Sequence, residues 1–226
     1  MPSDPYRHLY EDSEIFALDL VRRAADPAVT TNTEHAVRDL ARRRPTLAEY
    51  DAAIALTAAL ARLSCTALRA ASLRHHPLTA RLLENQPAPS IAHAHEITDV
   101  LDRLDTDLLS TDATRLGHCF IELTRLALAE QMPGGRPLRE SAAEPLGYAL
   151  ACAPEPADAL LPLVARAAQL TLACLHHLLD LDLSIEPDSD ADTARTTGPD
   201  GGALEHILDG FELYKITQQG AGGDAL

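Results

Sequence analysis

The sequence predicts an all-α protein: a multi-helix bundle of about seven to nine helices, two of them very apolar and central, with a linker-tethered C-terminal helix. Three observations carry this. Apolar residues recur with helical period almost everywhere, and no stretch of alternating β-branched residues reads as a strand. Prolines, 15 in all, fall mostly between the periodic segments, where they end helices that they cannot continue. The stretch 157–183, ADALLPLVARAAQLTLACLHHLLDLDL, is apolar over more than half of its helical circumference. A helix with one buried face shows a stripe of about 100°, so this one is expected to pack on more than one side.

Taken in order, the first helix is predicted over 12–25, with Ile15, Leu18, Val21 and Arg22 setting the spacing and Pro27 closing it. A second covers 33–43, with Thr33 as N-cap and Ala36, Val37, Leu40 and Ala41 inward. Pro45 opens the longest helix, 46–73, where Thr46 and Glu49 match a capping box. Its polar face is a thin line of Asp51, Arg62 and Arg69. Two helices this apolar, 46–73 and 157–183, are expected to pair at the centre of a bundle or along a dimer seam.

A short helix is predicted over 78–84, followed by a loop at Pro87 and Pro89. Ser90 caps a helix reaching 109, Ser110-Thr111-Asp112 breaks it, and the next runs to 131. Pro133-Gly134-Gly135 is a turn, and a weaker helix over 139–150 has Pro145 as its point of division. Residues 184–202 are poor in hydrophobes and rich in Asp, Thr, Pro and Gly, the composition of an acidic, flexible linker. Helical spacing returns over 203–218 through Leu204, Ile207, Leu208, Phe211 and Tyr214. The chain thus divides into a bundle domain 1–183, a linker 184–202, and a C-terminal helix and tail 203–226. Five of the eight aromatic residues are Tyr6, Tyr10 and Phe16 at one end and Phe211 and Tyr214 at the other, so the last helix is expected to fold back on the N-terminal segment.

Composition narrows the function. Apolar residues make up 46%, mostly Leu and Ala, enough for a sizeable core. Aromatics are 4% with no Trp, so stacking platforms for bases are scarce. A net charge of −15 repels phosphate backbones, and the one basic patch, Arg38, Arg42, Arg43 and Arg44, lies among acids. No nucleic-acid partner is expected. The N-terminus lacks a basic-then-apolar leader, and Arg166 and Gln169 interrupt the most apolar run, so no membrane partner is expected either. Four cysteines form no CxxC pair, consistent with a reduced, cytoplasmic protein. The single lysine, Lys215, argues against Schiff-base chemistry.

Histidine patterning is the one chemical signal. Five of ten histidines have a carboxylate four residues on: His8/Asp12, His35/Asp39, His95/Asp99, His118/Glu122 and His176/Asp180. Chance placement of 34 acids in 226 positions gives about 1.5 such pairs. Pairs of this spacing supply metal ligands in helical bundles. The pairs at 35, 95 and 118 lie opposite the apolar faces of their helices, which makes them surface pairs; the HExxH-like 95–99 segment also faces out. His93 shares a face with Val100 and Leu104, as a core imidazole or an acid/base group. His176 and Asp180 occupy a narrow polar strip. The candidate catalytic set is therefore His93, His176 and Asp180, and the candidate ligands for a divalent metal are these with His118 and Glu122.

Two functional expectations follow. One is a soluble helical binding or regulatory protein acting through helix–helix contacts, homodimeric, with a protein or small-molecule partner. The other is a helical-bundle enzyme of small-molecule metabolism using the metal or His/carboxylate site.

Overall fold

The computed structural model describes residues 7–26, 32–43, 48–73, 89–108, 114–151 and 153–183, and seven residues between 204 and 212. Eight helices are bounded among them: α1 (Arg7–Ala25), α2 (Thr33–Arg43), α3 (Glu49–Ser72), α4 (Ile91–Leu108), α5 (Thr114–Glu130), α6 (Leu138–Ser141), α7 (Ala143–Leu150) and α8 (Pro156–Leu183). Residues 204–205, 207–209 and 211–212 are also helical, and no described residue is in a strand. The all-α expectation holds. The segments 78–84 and 184–202 lie outside the described residues.

Helix α3 is the hub. Its Ala-rich surface lets neighbouring helices approach closely, and it packs on α8, α1, α5, α2 and α4. Every residue from Ser64 to Ala71 is buried, so this helix is enclosed on all sides over its second half. The α3–α8 pairing is the most extensive among the described helices. Thus the two apolar helices do meet, and α3 is more fully enclosed than α8. By length and composition, α3 and the Pro156–Leu179 part of α8 suffice to cross a bilayer. In this fold 72% and 56% of their most apolar windows are buried against the rest of the chain.

A polar seam runs inside this pair. Ser64 Oγ donates to Thr171 Oγ1 at 3.0 Å, and Thr171 donates in turn to the Ala167 carbonyl at 2.8 Å. Thr57 returns its hydroxyl to the Ala53 carbonyl at 2.9 Å. All three hydroxyl residues are completely buried and each is satisfied, and the Ser64–Thr171 bond ties the two helices together without an uncompensated polar cost.

Helix ends differ from the sequence reading in instructive ways. Asn32, not Thr33, caps α2: its Oδ1 accepts the His35 N–H at 2.9 Å and its carbonyl accepts the Ala36 N–H at 3.2 Å. Helix α3 begins at Glu49 behind an extended Ala48, with no side-chain cap, three residues later than the capping-box expectation; Thr46 is outside the described residues. Helix α1 starts five residues earlier than the spacing from Ile15 indicated. Ser90 caps α4 as expected, its Oγ accepting the His93 N–H at 3.3 Å.

The break between α6 and α7 falls at Ala142, three residues before Pro145. A continuous helix would need the Pro145 nitrogen to donate to the Ser141 carbonyl, and proline has no N–H. Pro145 itself sits in the first turn of α7, where no donor is required. Pro162 stays inside α8. It deprives only the Asp158 carbonyl in the first turn of a partner, and both residues are exposed to water.

Candidate functional site

The arrangement that stands apart from ordinary bundle packing is the contact between α1 and the 204–212 segment. At 3.6 residues per turn, Leu204, Ile207, Leu208 and Phe211 fall on one stripe of a helix. All four are at least 96% buried and belong to the same core as Ala17, Leu18, Leu20 and Val21 of α1. On the same wheel Glu205, Asp209 and Glu212 cluster about 100° round from the stripe, along one flank and not on the opposite face.

That flank meets Arg22. Four residues beyond buried Leu18, Arg22 stands at the edge of the buried arc of α1. Its Nη2 donates to Asp209 Oδ1 at 2.8 Å, Nη1 lies 2.6 Å from Glu212 Oε2, and Nε lies 3.4 Å from Glu205 Oε2. Burial alone would lower the guanidinium pKa; the hydrogen bonds and charges of Glu212 and Asp209 outweigh it and raise it. One planar donor fork thus reads three carboxylates spaced along one helix. Nearby, Arg43 stacks its guanidinium 4.9 Å from the centre of the Phe16 ring. The fold-back of the C-terminal segment expected from the aromatic distribution is present through Arg22, with Phe211 buried, whereas Tyr6, Tyr214 and the Tyr10 side chain lie outside the described residues. The helical spacing of 203–218 puts the three acids away from the docking stripe. They are instead its second contact.

The histidine candidates are not gathered into one place. His93 is half-buried at the start of α4, as its face predicted, and its own amide is engaged by Ser90. His176 is exposed on α8, and the Asp180 side chain lies outside the described residues. Among the described residues, no three His, Cys, Asp or Glu side chains converge as a metal would require.

His118 does not use Glu122, four residues on. Its Nδ1 lies 3.1 Å from both carboxylate oxygens of Asp105 on α4, while Glu122 pairs with Arg125. Arg125 also reaches Asp102 of α4. These groups staple α4 to α5 at the rim of the bundle, and the interhelical partner explains why the i, i+4 pairing was displaced. His35 keeps its expected partner, with Nε2 2.9 Å from Asp39 Oδ2. His95 and Asp99 stand exposed, as expected.

A third polar cluster joins α3 to the α5–α6 junction. Arg62 places Nε and Nη2 each 3.0 Å from the two oxygens of Glu130, and Glu130 Oε1 also accepts the Leu138 N–H at 3.0 Å. Buried Arg69 donates to Gln131 Oε1 at 3.0 Å, and Gln131 Nε2 lies 3.4 Å from Cys65 Sγ. The thin polar line of α3 is thus largely consumed within the fold. Burial pushes the thiols of Cys65, Cys119 and Cys174 up to about 12, which makes them inert packing groups at neutral pH.

No protein-family model, curated protein or solved structure matches the chain.

Proposed function

We propose that this is a soluble, cytoplasmic helix-binding regulatory protein whose own C-terminal segment occupies its binding site. One observation carries the reading: an amphipathic segment sinks four apolar residues into the core of the bundle and is held to α1 by a single arginine that reads three carboxylates. Helix-in-groove recognition uses this same pattern of i, i+3, i+4 and i+7 anchors. The segment follows a stretch of polar composition, which suits its exchange for a partner helix. Three buried free thiols suit a reducing compartment.

The test inserts a specific protease site between residues 190 and 195 of the full chain. After cleavage, a labelled synthetic 203–218 peptide should bind the 1–190 body saturably and one to one, and should bind the uncut chain far more weakly. A cut body that keeps its helical circular dichroism yet takes up no peptide overturns the reading. So does equal binding before and after cleavage, since the site would then not be the one that the segment fills.

A further inference from the structure

Resting on that reading, we infer the chemical class of the partner: an acidic amphipathic helix carrying apolar residues at i, i+3, i+4 and i+7 and carboxylates at i+1, i+5 and i+8, recognised by Arg22. The positions are those of Leu204, Ile207, Leu208 and Phe211 with Glu205, Asp209 and Glu212. The long-range field points the other way. A body within a chain of net charge −15 attracts basic helices and repels acidic ones at a distance. At contact the balance reverses. A basic helix seated on this stripe would set its cations against the Arg22 guanidinium, which has three carboxylates within 3.4 Å in the seated state.

Opposed terms of this kind give discrimination. Acidic helices lacking the register meet only repulsion, while one that presents all three carboxylates to Arg22 gains the fork contacts that offset it. Two other described arginines nearby have partners elsewhere: Arg23 donates to Asp19 at 2.8 Å, and Arg43 lies over Phe16. Arg22 is therefore the residue that sets charge preference, and the apolar stripe sets affinity.

The experiment uses the cleaved protein and four peptides of the 203–218 sequence. They are the parent, its Glu205/Asp209/Glu212→Gln form, its Glu205/Asp209/Glu212→Arg form, and a parent with Leu208→Asp. Three partly exposed pairs correspond to roughly a 3- to 30-fold loss on neutralisation. The Arg form should bind more weakly still, and Arg22→Glu in the body should invert the order of the parent and Arg peptides. Raising the salt concentration should narrow the difference between the parent and Gln peptides. Equal binding of parent and Gln peptides, or preference of the unaltered body for the Arg form, overturns this inference and leaves the helix-binding reading standing. Binding of none of the peptides overturns both. Loss of binding by Leu208→Asp alone, with charge variants indifferent, assigns the site to apolar contact and also overturns it.

Discussion

Thr171 shows how much a single hydroxyl can decide in this core. It accepts from Ser64 and donates to the Ala167 carbonyl while fully buried. Thr171→Val keeps the shape and removes both roles, so it should cost about 1–3 kcal/mol in chemical denaturation. Adding Ser64→Ala should recover part of that loss, because the orphaned donor disappears with it. Simple additivity of the two substitutions would show that the seam is not coupled. Glu130 gives a pH signature. Burial alone would raise its pKa, but Arg62, the Leu138 N–H and Arg139 outweigh it and hold the carboxyl below its ordinary value. A carboxyl depressed in the folded state contributes stability that is present above its unfolded value, about 4.3, and lost as pH falls through the lower folded value. Glu130→Gln should therefore lower the melting temperature at pH 7 and lose that effect in acid, as the pH falls through the depressed folded value, read by thermal melts across the acid range. The sequence marked Arg62 as one of few polar residues on an apolar helix. It gave no sign of Glu130 as partner, 68 positions away. Arg22 and Asp209 are 187 positions apart, a pairing that local periodicity has no means of finding. Histidine spacing erred for a related reason: an i, i+4 count registers neighbours along a helix, while Asp105 came to His118 from another one.

At the scale of the element, most helices were legible because burial follows period: Ala36, Val37, Leu40 and Ala41 face in on α2, and Leu204, Ile207, Leu208 and Phe211 do so at the other end of the chain. Helix starts were less so. Thr33 and Asn32 are both acceptable caps, and only the backbone geometry at the first turn selects between them. The turn after α5 was legible from Pro133-Gly134-Gly135, and its two glycines act differently. Gly134 has φ of 78°, a conformation that L side chains rarely adopt. At Gly135 the backbone angle is ordinary, but a β-carbon would collide with the Ala129 carbonyl in the last turn of α5. Gly134→Ala should thus cost roughly 1 kcal/mol of local strain. Gly135→Ala should cost more, because relief requires moving α5 away from α6 and straining the Glu130 contact to Leu138. A larger melting-temperature loss for Gly134→Ala than for Gly135→Ala would contradict this assignment.

The whole molecule is organised by the way in which α3 and α8 satisfy each other. A chain of alanine and leucine with few aromatic rings gains little from any one side chain, so its stability depends on close approach along long helices. That is why α3 is enclosed over Ser64–Ala71 and why α8 buries Leu163, Val164, Ala167, Ala168 and Leu175 completely. The sequence left open whether this area served a bundle centre or a seam between two copies; within one chain the two helices pair with each other. Leu175→Asp is the discriminating substitution. With Leu175 fully buried, an ionised carboxylate there has no water, while on α8 Arg166 lies on the opposite face and His176 is exposed. The substitution removes a burial term of about 1.5–3 kcal/mol and adds the cost of an unpaired buried charge, together a large part of the about 5–15 kcal/mol that a domain has in total. Cooperative unfolding is therefore expected at neutral pH. Circular dichroism should lose its helical signal and amides across α3 and α8 should exchange together. Partial recovery below about pH 4, where the carboxyl takes up a proton, is expected as well. A Leu175→Asp chain that stays helical while its mass by light scattering falls by half would place this residue at a seam between copies, not at the centre of one.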